Sequence, residues 1–147
     1  MRLPTASSAT WPATGSRSAT ARAKALVGAA FLADFRGDYR DAAILGGRAL
    51  PLARGARDAW LTAFALAILG DFASFEQRDY PRAAELYEEA MTLAREAGDG
   101  WLIAYALAEA GELARLRYDP DRAASLATEG LSLARAIGDR WLEAFLL

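Results

Sequence analysis

A tryptophan motif that recurs about every forty residues constrains the fold of this chain more than any other feature. The pattern Trp-Leu-x-Ala-[Phe/Tyr]-x-Leu begins at Trp60, Trp101 and Trp141, and the first interval is one residue longer than the second. A fixed period in this range is typical of solenoids, in which stacked repeats bury a continuous core between neighbouring units. The spacing therefore predicts a repeat domain, and it moves the functional question from catalysis to binding.

A second signal divides each unit into two segments. Pairs of alanines beginning at Ala42, Ala83 and Ala123 follow a short turn signal and repeat at the same two intervals as the tryptophan motif. Between these signals apolar residues recur at helical spacing, and no alternating β-branched stretch indicates a strand. The pattern predicts helices over 19–35, 39–54, 58–76, 80–97, 99–116 and 120–137, and a last helix that begins at Asp139.

The residues between these segments match the chemistry of helix ends. Glycine adopts the left-handed C′ conformation without steric cost, which is the role predicted for Gly55, Gly98 and Gly138. An aspartate at the N-cap accepts otherwise unpaired backbone N–H groups, which is the role predicted for Asp58, Asp99 and Asp139. Pro81 and Pro120 fall in a first helical turn, where proline wastes no donor. Pro51 falls inside the second helix and predicts a kink or an early end there.

The composition narrows the function classes. The chain has 147 residues, 54% of them hydrophobic, which is enough to build the core of one domain. It has no cysteine and no histidine, and Lys24 is its only lysine, so triad chemistry, imidazole metal ligation and a P-loop are excluded. Neither an enzyme nor a cofactor is expected. The net charge of −2 predicts no direct binding to nucleic acid or to an anionic membrane, and no membrane span is expected.

The segment 1–18 differs from the rest of the chain. It is rich in Ser, Thr, Ala and Pro, contains no acidic residue and shows no apolar period. It also lacks the hydrophobic stretch of a secretory signal. We predict that 1–18 is a disordered leader and that 19–147 is the helical repeat domain, with cytoplasmic localisation.

The repeating pattern resembles the tetratricopeptide repeat, a helix–turn–helix unit with a Leu-Gly pair in its first helix and spaced alanines in its second. The second unit carries this pattern most fully, with Leu69-Gly70 followed by Tyr80, Ala83, Tyr87 and Ala90. It holds one extra residue between Gly70 and the turn. In the third unit Gly111 matches the family glycine, whereas Ala30 replaces it in the first.

The resemblance implies an all-α, right-handed solenoid of antiparallel helix pairs. The units are predicted over 19–56, 57–98 and 99–138, with a truncated fourth unit over 139–147. The common unit has about 34 residues, and this one is longer. The longer unit resembles the repeats of large bacterial regulators of the maltose-activator type, in which the array lies between an ATPase module and a helix-turn-helix domain.

In the family the first helix of each unit lines a concave groove, so the resemblance assigns groove positions in this chain. These candidates for binding a peptide or a small ligand are Phe31, Asp34, Phe35, Phe64, Asp71, Ser74, Phe75, Tyr105, Glu112 and Arg115. Asp34, Asp71 and Glu112 would form an acidic strip beside an aromatic one, suited to a cationic group. Alternatively, the aromatic residues are inter-helix core and the acids a solvated face.

Three functions are compatible with these observations. The first is a non-enzymatic protein- or peptide-interaction module, a fragment of a larger bacterial signalling or transcriptional regulator. The second is a self-standing oligomerisation adaptor, and the third is an accessory fragment of a cyclase, kinase or ATPase. The last helix is expected to leave apolar side chains uncovered, which predicts self-association through an edge made of Trp141, Leu142, Phe145 and Leu146.

Overall fold

The computed structural model describes residues 6–147, with side chains described from Arg17 onward, and the described chain contains helices and no strand. This confirms the all-α fold class. The α-helices of the described chain are α1 (Ala6–Phe35), α2 (Tyr39–Gly55), α3 (Ala59–Asp71), α4 (Tyr80–Ala97), α5 (Gly100–Leu116), α6 (Pro120–Ile137) and α7 (Arg140–Leu146).

The helix boundaries follow the sequence pattern closely, except at the start of the chain. Helix α1 begins at Ala6, so helical backbone runs through the boundary at residue 18 that was predicted to separate a disordered leader from the repeats. The composition of this segment gave no apolar period, and Pro12 and Gly15 lie within this part of α1. The part of the predicted leader before Ala6 lies outside the described residues.

The predicted helix caps are confirmed at most turns. Asp58, Asp99 and Asp139 each accept a hydrogen bond from the backbone N–H three residues later, at 2.9 Å. Gly98 and Gly138 adopt the left-handed conformation, with φ of 68° and 71°.

At the second helix one prediction is wrong, and one of the two alternatives given for Pro51 is excluded. Gly55 lies inside α2, and Arg57 takes the left-handed position instead, with φ of 53°. Pro51 does not end α2 early, since the helix continues to Gly55.

A π-turn explains why the first repeat interval is one residue longer than the second. Helix α3 passes directly into a π-helical turn, Phe72–Glu76, in which the N–H of Gln77 donates to the carbonyl of Phe72 at 3.1 Å. A π-turn takes up one residue more than an α-turn without breaking the helix. It therefore absorbs the extra residue that follows Gly70 in the second unit.

The helices pack as consecutive neighbours, and they form two layers. Each helix contacts the next one along the chain, and α1, α3, α5 and α7 also contact each other in series. This inner layer is compatible with a helical repeat. On the outer layer, ion pairs join successive units: Arg54 pairs with Glu89 at 2.8 Å, and Arg95 pairs with Glu129 at 2.9 Å.

The segment Ala59–Glu76 is apolar because it forms the centre of the core. By length and composition it is the one described segment that can cross a membrane, with a mean hydropathy of 1.3, although the sequence was expected to contain no such run. However, 67% of it is buried inside the protein. Its packing against α2, α4 and α5 accounts for its composition.

Candidate functional site

A concave cavity of about 690 Å³ lies against the inner helices, and its volume is within the size range of ligand pockets. Aromatic and acidic side chains dominate its wall, together with one arginine. The aromatic and charged residues of the lining are Phe31, Asp34, Phe35, Tyr39, Asp71, Phe75, Tyr105, Glu109, Glu112, Arg115, Trp141 and Phe145. They come from helices far apart in sequence.

Most of the groove positions assigned by the family resemblance meet in this cavity. The structure places eight of them on its wall, namely Phe31, Asp34, Phe35, Asp71, Phe75, Tyr105, Glu112 and Arg115. The other two do not line it. Phe64 is 6% exposed and packs against Phe31 and Trp101, whereas Ser74 is buried inside the π-turn.

A cluster of carboxyl groups lies where the three longer inner helices meet. The hydroxyl of Tyr87 donates to Asp71 Oδ1 at 2.5 Å, and the hydroxyl of Tyr105 lies 3.2 Å from Asp71 Oδ2. The same Tyr105 hydroxyl is 3.5 Å from Asp34 Oδ2, so it connects α1, α3 and α5 at one point. Glu109 lies beside Asp71 on the cavity wall and completes the cluster.

The third acid of the predicted strip does not join this cluster. Glu112 is held by Arg115 of its own helix, whose Nε donates to Glu112 Oε2 at 2.8 Å. Glu109, which the family positions did not indicate, is 6% exposed and joins the cluster instead of Glu112. One sequence signal was available: Glu109 stands one repeat interval after Ile68, which is fully buried in the preceding unit.

Burial dominates the electrostatics of this cluster. It raises the pKa of Asp34 to about 6 and that of Glu109 to about 8, since a charged carboxylate is poorly solvated there. Burial also raises the pKa of Asp71 well above its usual value, and the nearby Glu109 and Asp34 raise it further. Two adjacent carboxyl groups can hydrogen-bond only if one holds a proton. With the pKa of both groups raised, and that of Glu109 to about 8, the pair holds at least one proton at neutral pH.

The acids are thus neither a simple solvated face nor a metal site. Asp71 is 1% exposed, which contradicts the solvated-face interpretation for this residue. Within residues 6–147 no group of three or more acidic side chains has an arrangement that can hold a metal ion. The cluster instead provides hydrogen-bond acceptors, which become negatively charged when they lose their protons.

Beside the carboxyl groups lies a packed array of aromatic rings. Trp101 stacks on Tyr105 with ring centroids 5.3 Å apart, and Phe31 meets Tyr105 edge to face at 6.0 Å. Tyr105 is 2% exposed, so the alternative that the motif aromatics are inter-helix core holds for this residue and for Phe64. Elsewhere on the cavity wall Tyr39 and Phe75 stack at 5.2 Å and remain more accessible.

The four residues predicted to form a self-association edge do not form one uniform surface. Leu142 is fully buried, because it faces the core in the way that the equivalent Leu102 does. Trp141 and Phe145 stack on each other at 5.4 Å and are 43% and 48% exposed. Trp141 also contacts Phe35, with centroids 6.2 Å apart, so the edge and the groove are parts of one surface. Leu146 also lines the cavity.

Comparison with known proteins adds no family assignment. No protein-family model matches this sequence, and no curated protein matches it. The function must therefore be inferred from the geometry of the cavity and from the repeat pattern.

Proposed function

We propose that this chain is a non-enzymatic interaction module of the tetratricopeptide type, which binds a protein or peptide segment on the surface formed by its inner helices. The observation that most directly supports this proposal is the cavity, to which α1, α3, α5 and α7 all contribute side chains. The proposed membership of the tetratricopeptide family is supported by the repeat units of about forty residues, the Gly-Asp turns and the helix pairs. The proposal includes a right-handed solenoid and a cytoplasmic location.

The side chains of the cavity wall suit recognition of an extended segment. Phe35 on this wall is 65% exposed, and exposed aromatic residues provide large contact areas with little loss of side-chain entropy. The carboxyl groups are more deeply buried, where they can fix the orientation of a polar group. A wall that is mostly apolar with a few converging polar groups is typical of ligand sites.

To test this proposal, peptides are selected from a random display library on the immobilised wild-type chain. Their affinities are then compared between the wild type and two variants. Phe35→Ser changes the cavity wall, and Ile44→Ser changes a comparably exposed apolar residue, 57% exposed, that lies outside the cavity. We expect at least a tenfold loss of affinity for Phe35→Ser and none for Ile44→Ser. Equal effects, or failure to select any peptide, would contradict the proposal.

The parent of this module is proposed to be a larger bacterial signalling or transcriptional regulator. Neighbouring reading frames distinguish the alternatives. An adjoining ATPase or helix-turn-helix frame supports a regulator, whereas a cyclase or kinase frame supports an accessory part of an enzyme.

One observation favours a second candidate function, oligomerisation. Phe35, Trp141 and Phe145 expose a continuous aromatic patch. A second copy of the chain can cover such a patch. The dependence of the oligomeric state on concentration, measured by static light scattering, distinguishes this candidate from peptide binding.

A further inference from the structure

The carboxyl cluster has no cationic partner inside the described part of the chain. None of the ion pairs formed by the described residues includes Asp34, Asp71 or Glu109. Arg115 is the only basic residue on the described cavity wall, and it is engaged by Glu112. Buried carboxyl groups are normally paired or fully hydrogen-bonded, because removing them from water is costly.

One acceptor atom of the cluster is left without a donor. Asp34 Oδ1 is buried and accepts no hydrogen bond, although Asp34 lines the cavity. Asp34 also lies in the last turn of α1, which contains no basic residue, so the negative end of the helix adds to the unfavourable field. A donor supplied from the cavity would satisfy this oxygen. The buried hydroxyl of Ser74, in the π-turn after Asp71, is likewise unpartnered.

The aromatic wall adds a second kind of attraction for positive charge. Phe31, Phe35, Phe75 and Trp141 line the same cavity as the carboxyl groups. Ring faces attract ammonium and guanidinium groups, most strongly where water is excluded. The cavity, at about 690 Å³, is much larger than a single inorganic ion requires.

We propose that this cavity binds one organic cation, an ammonium or guanidinium group carried on an apolar chain. The charged group lies against Asp34, Asp71 and Glu109, and the apolar part lies against Phe35, Phe75 and Trp141. The inference deepens the proposed function, on which it rests: the cation is a Lys or Arg side chain of the bound segment. A free alkylammonium has the same chemistry and is the alternative source.

Binding of the cation is coupled to release of protons. Without a bound cation, burial favours the protonated forms of Asp71 and Glu109, and a cation in contact with them stabilises their charged forms. Affinity for a permanently charged ligand therefore rises with pH between about 5 and 9, through the pKa of Asp34 and then that of Glu109. The other titratable or charged groups around the cluster are Tyr39 on α2, Tyr87 on α4, and Tyr105, Glu112 and Arg115 on α5.

Calorimetric titration with hexylammonium tests the inference, since this probe donates hydrogen bonds and, like a lysine side chain, keeps its charge between about pH 5 and 9. Hexanol, its uncharged isostere, is the ligand control. We expect the cation to bind at least tenfold more tightly than the isostere at pH 8, and to release protons on binding. Equal affinities, or no binding of either probe, would overturn the inference.

Two neutral variants locate the charged group. Asp34→Asn and Glu109→Gln should each weaken binding of the cation at least fivefold at pH 8, whereas Glu129→Gln, which removes a carboxylate outside the cavity, should change it less than twofold. Circular dichroism and thermal melting check that each variant is folded. If a variant does not fold, the pH dependence of binding to the wild type decides: affinity that does not change between pH 5 and 9 contradicts the inference.

Peptides separate this inference from the proposed function and identify the source of the cation. The probes are a pentapeptide with a central Arg and the same peptide with norleucine. Preference for Arg supports both proposals, and binding of the ammonium without any peptide supports the cation site but contradicts the peptide module. Equal binding of the two peptides, lost in Phe35→Ser, supports the module and contradicts the cation site.

Discussion

The indole N–H of Trp60 donates a hydrogen bond to Asp99 Oδ2 at 3.0 Å, while the other oxygen of Asp99 caps helix α5 by accepting from the N–H of Leu102. One carboxylate thus begins an inner helix and ties it to the inner helix of the preceding unit. Two motifs that are separate in sequence, the tryptophan and the Gly-Asp turn, meet at this contact. Through it, the start of one unit is positioned by the unit before it.

This double role predicts an unusually large loss of stability for Asp99→Ala. The change removes a helix cap, about 1 kcal/mol, and a hydrogen bond to a charged acceptor, about 1.5–3 kcal/mol. Asp119→Ala is the matched control, because Asp119 caps α6 through the N–H of Arg122 and is bonded by no tryptophan. Chemical denaturation should show a loss for Asp99→Ala about 2 kcal/mol greater than that for Asp119→Ala, since only the former breaks the charged hydrogen bond. Equal losses would show that the Trp60 hydrogen bond adds no stability.

Two glycines at equivalent positions should respond in opposite ways to alanine. A Cβ at Gly70 would lie 2.6 Å from Tyr87, which is buried and bonded to Asp71, whereas at Gly111 the nearest atom would be 3.7 Å away. We expect Gly70→Ala to destabilise the protein by about 1–3 kcal/mol through overpacking. Gly111→Ala should be neutral, or stabilising by up to about 1 kcal/mol through helix propensity. Thermal melting of both variants checks this, and tolerance of alanine at Gly70 would contradict the packing described here.

The carboxyl cluster predicts that stability falls as pH rises. Asp34 and Glu109 have a raised pKa in the folded protein, so the folded state binds more protons than the unfolded state between about pH 4 and 8. Under linkage, the free energy of unfolding then decreases with pH, by at most about 1.4 kcal/mol per pH unit for each extra proton bound. The contribution is fully present below the unfolded pKa values and is lost as pH rises through about 6 and then about 8.

Denaturation of the wild type and of Glu109→Gln from pH 5 to 9 measures this effect. The glutamine resembles a protonated glutamate and does not ionise. We expect the variant to lose less stability than the wild type between pH 7 and 9. Identical pH profiles would mean that Glu109 is not buried in the way described.

The exposed aromatic patch predicts self-association that depends on concentration. Covering the half-exposed rings of Trp141 and Phe145 contributes roughly 1.5–3 kcal/mol per copy before the cost of association. Static light scattering over a dilution series should show dimers of the wild type at high concentration and monomers of Phe145→Glu. Ile44→Glu, which places the same charge on an exposed apolar position of α2, should behave as the wild type. A wild type that is monomeric at all concentrations would leave peptide binding as the favoured function.

The sequence alone determined the features that depend on local periodicity and on residues next to each other in the chain. The repeat period, the helix pairs and the aspartate caps follow from hydrophobic spacing and turn chemistry, which act within one or two helical turns. Even the extra residue after Gly70 was visible as an interruption of the period. That it becomes a π-turn, while α2 continues through Pro51 and Gly55, depends on how neighbouring helices hold these segments.

Only the tertiary structure decided which acids come together. Asp34, Asp71 and Glu109 belong to three successive units, and their association depends on the stacking angle between units, which no local pattern encodes. Glu112 fits the family position better than Glu109, and the two lie on the same face of α5, but they are nearly one turn apart along the helix and Arg115 holds Glu112 apart from the cluster. Burial then sets the protonation of the cluster, because the free energy of a charge depends on everything packed around it.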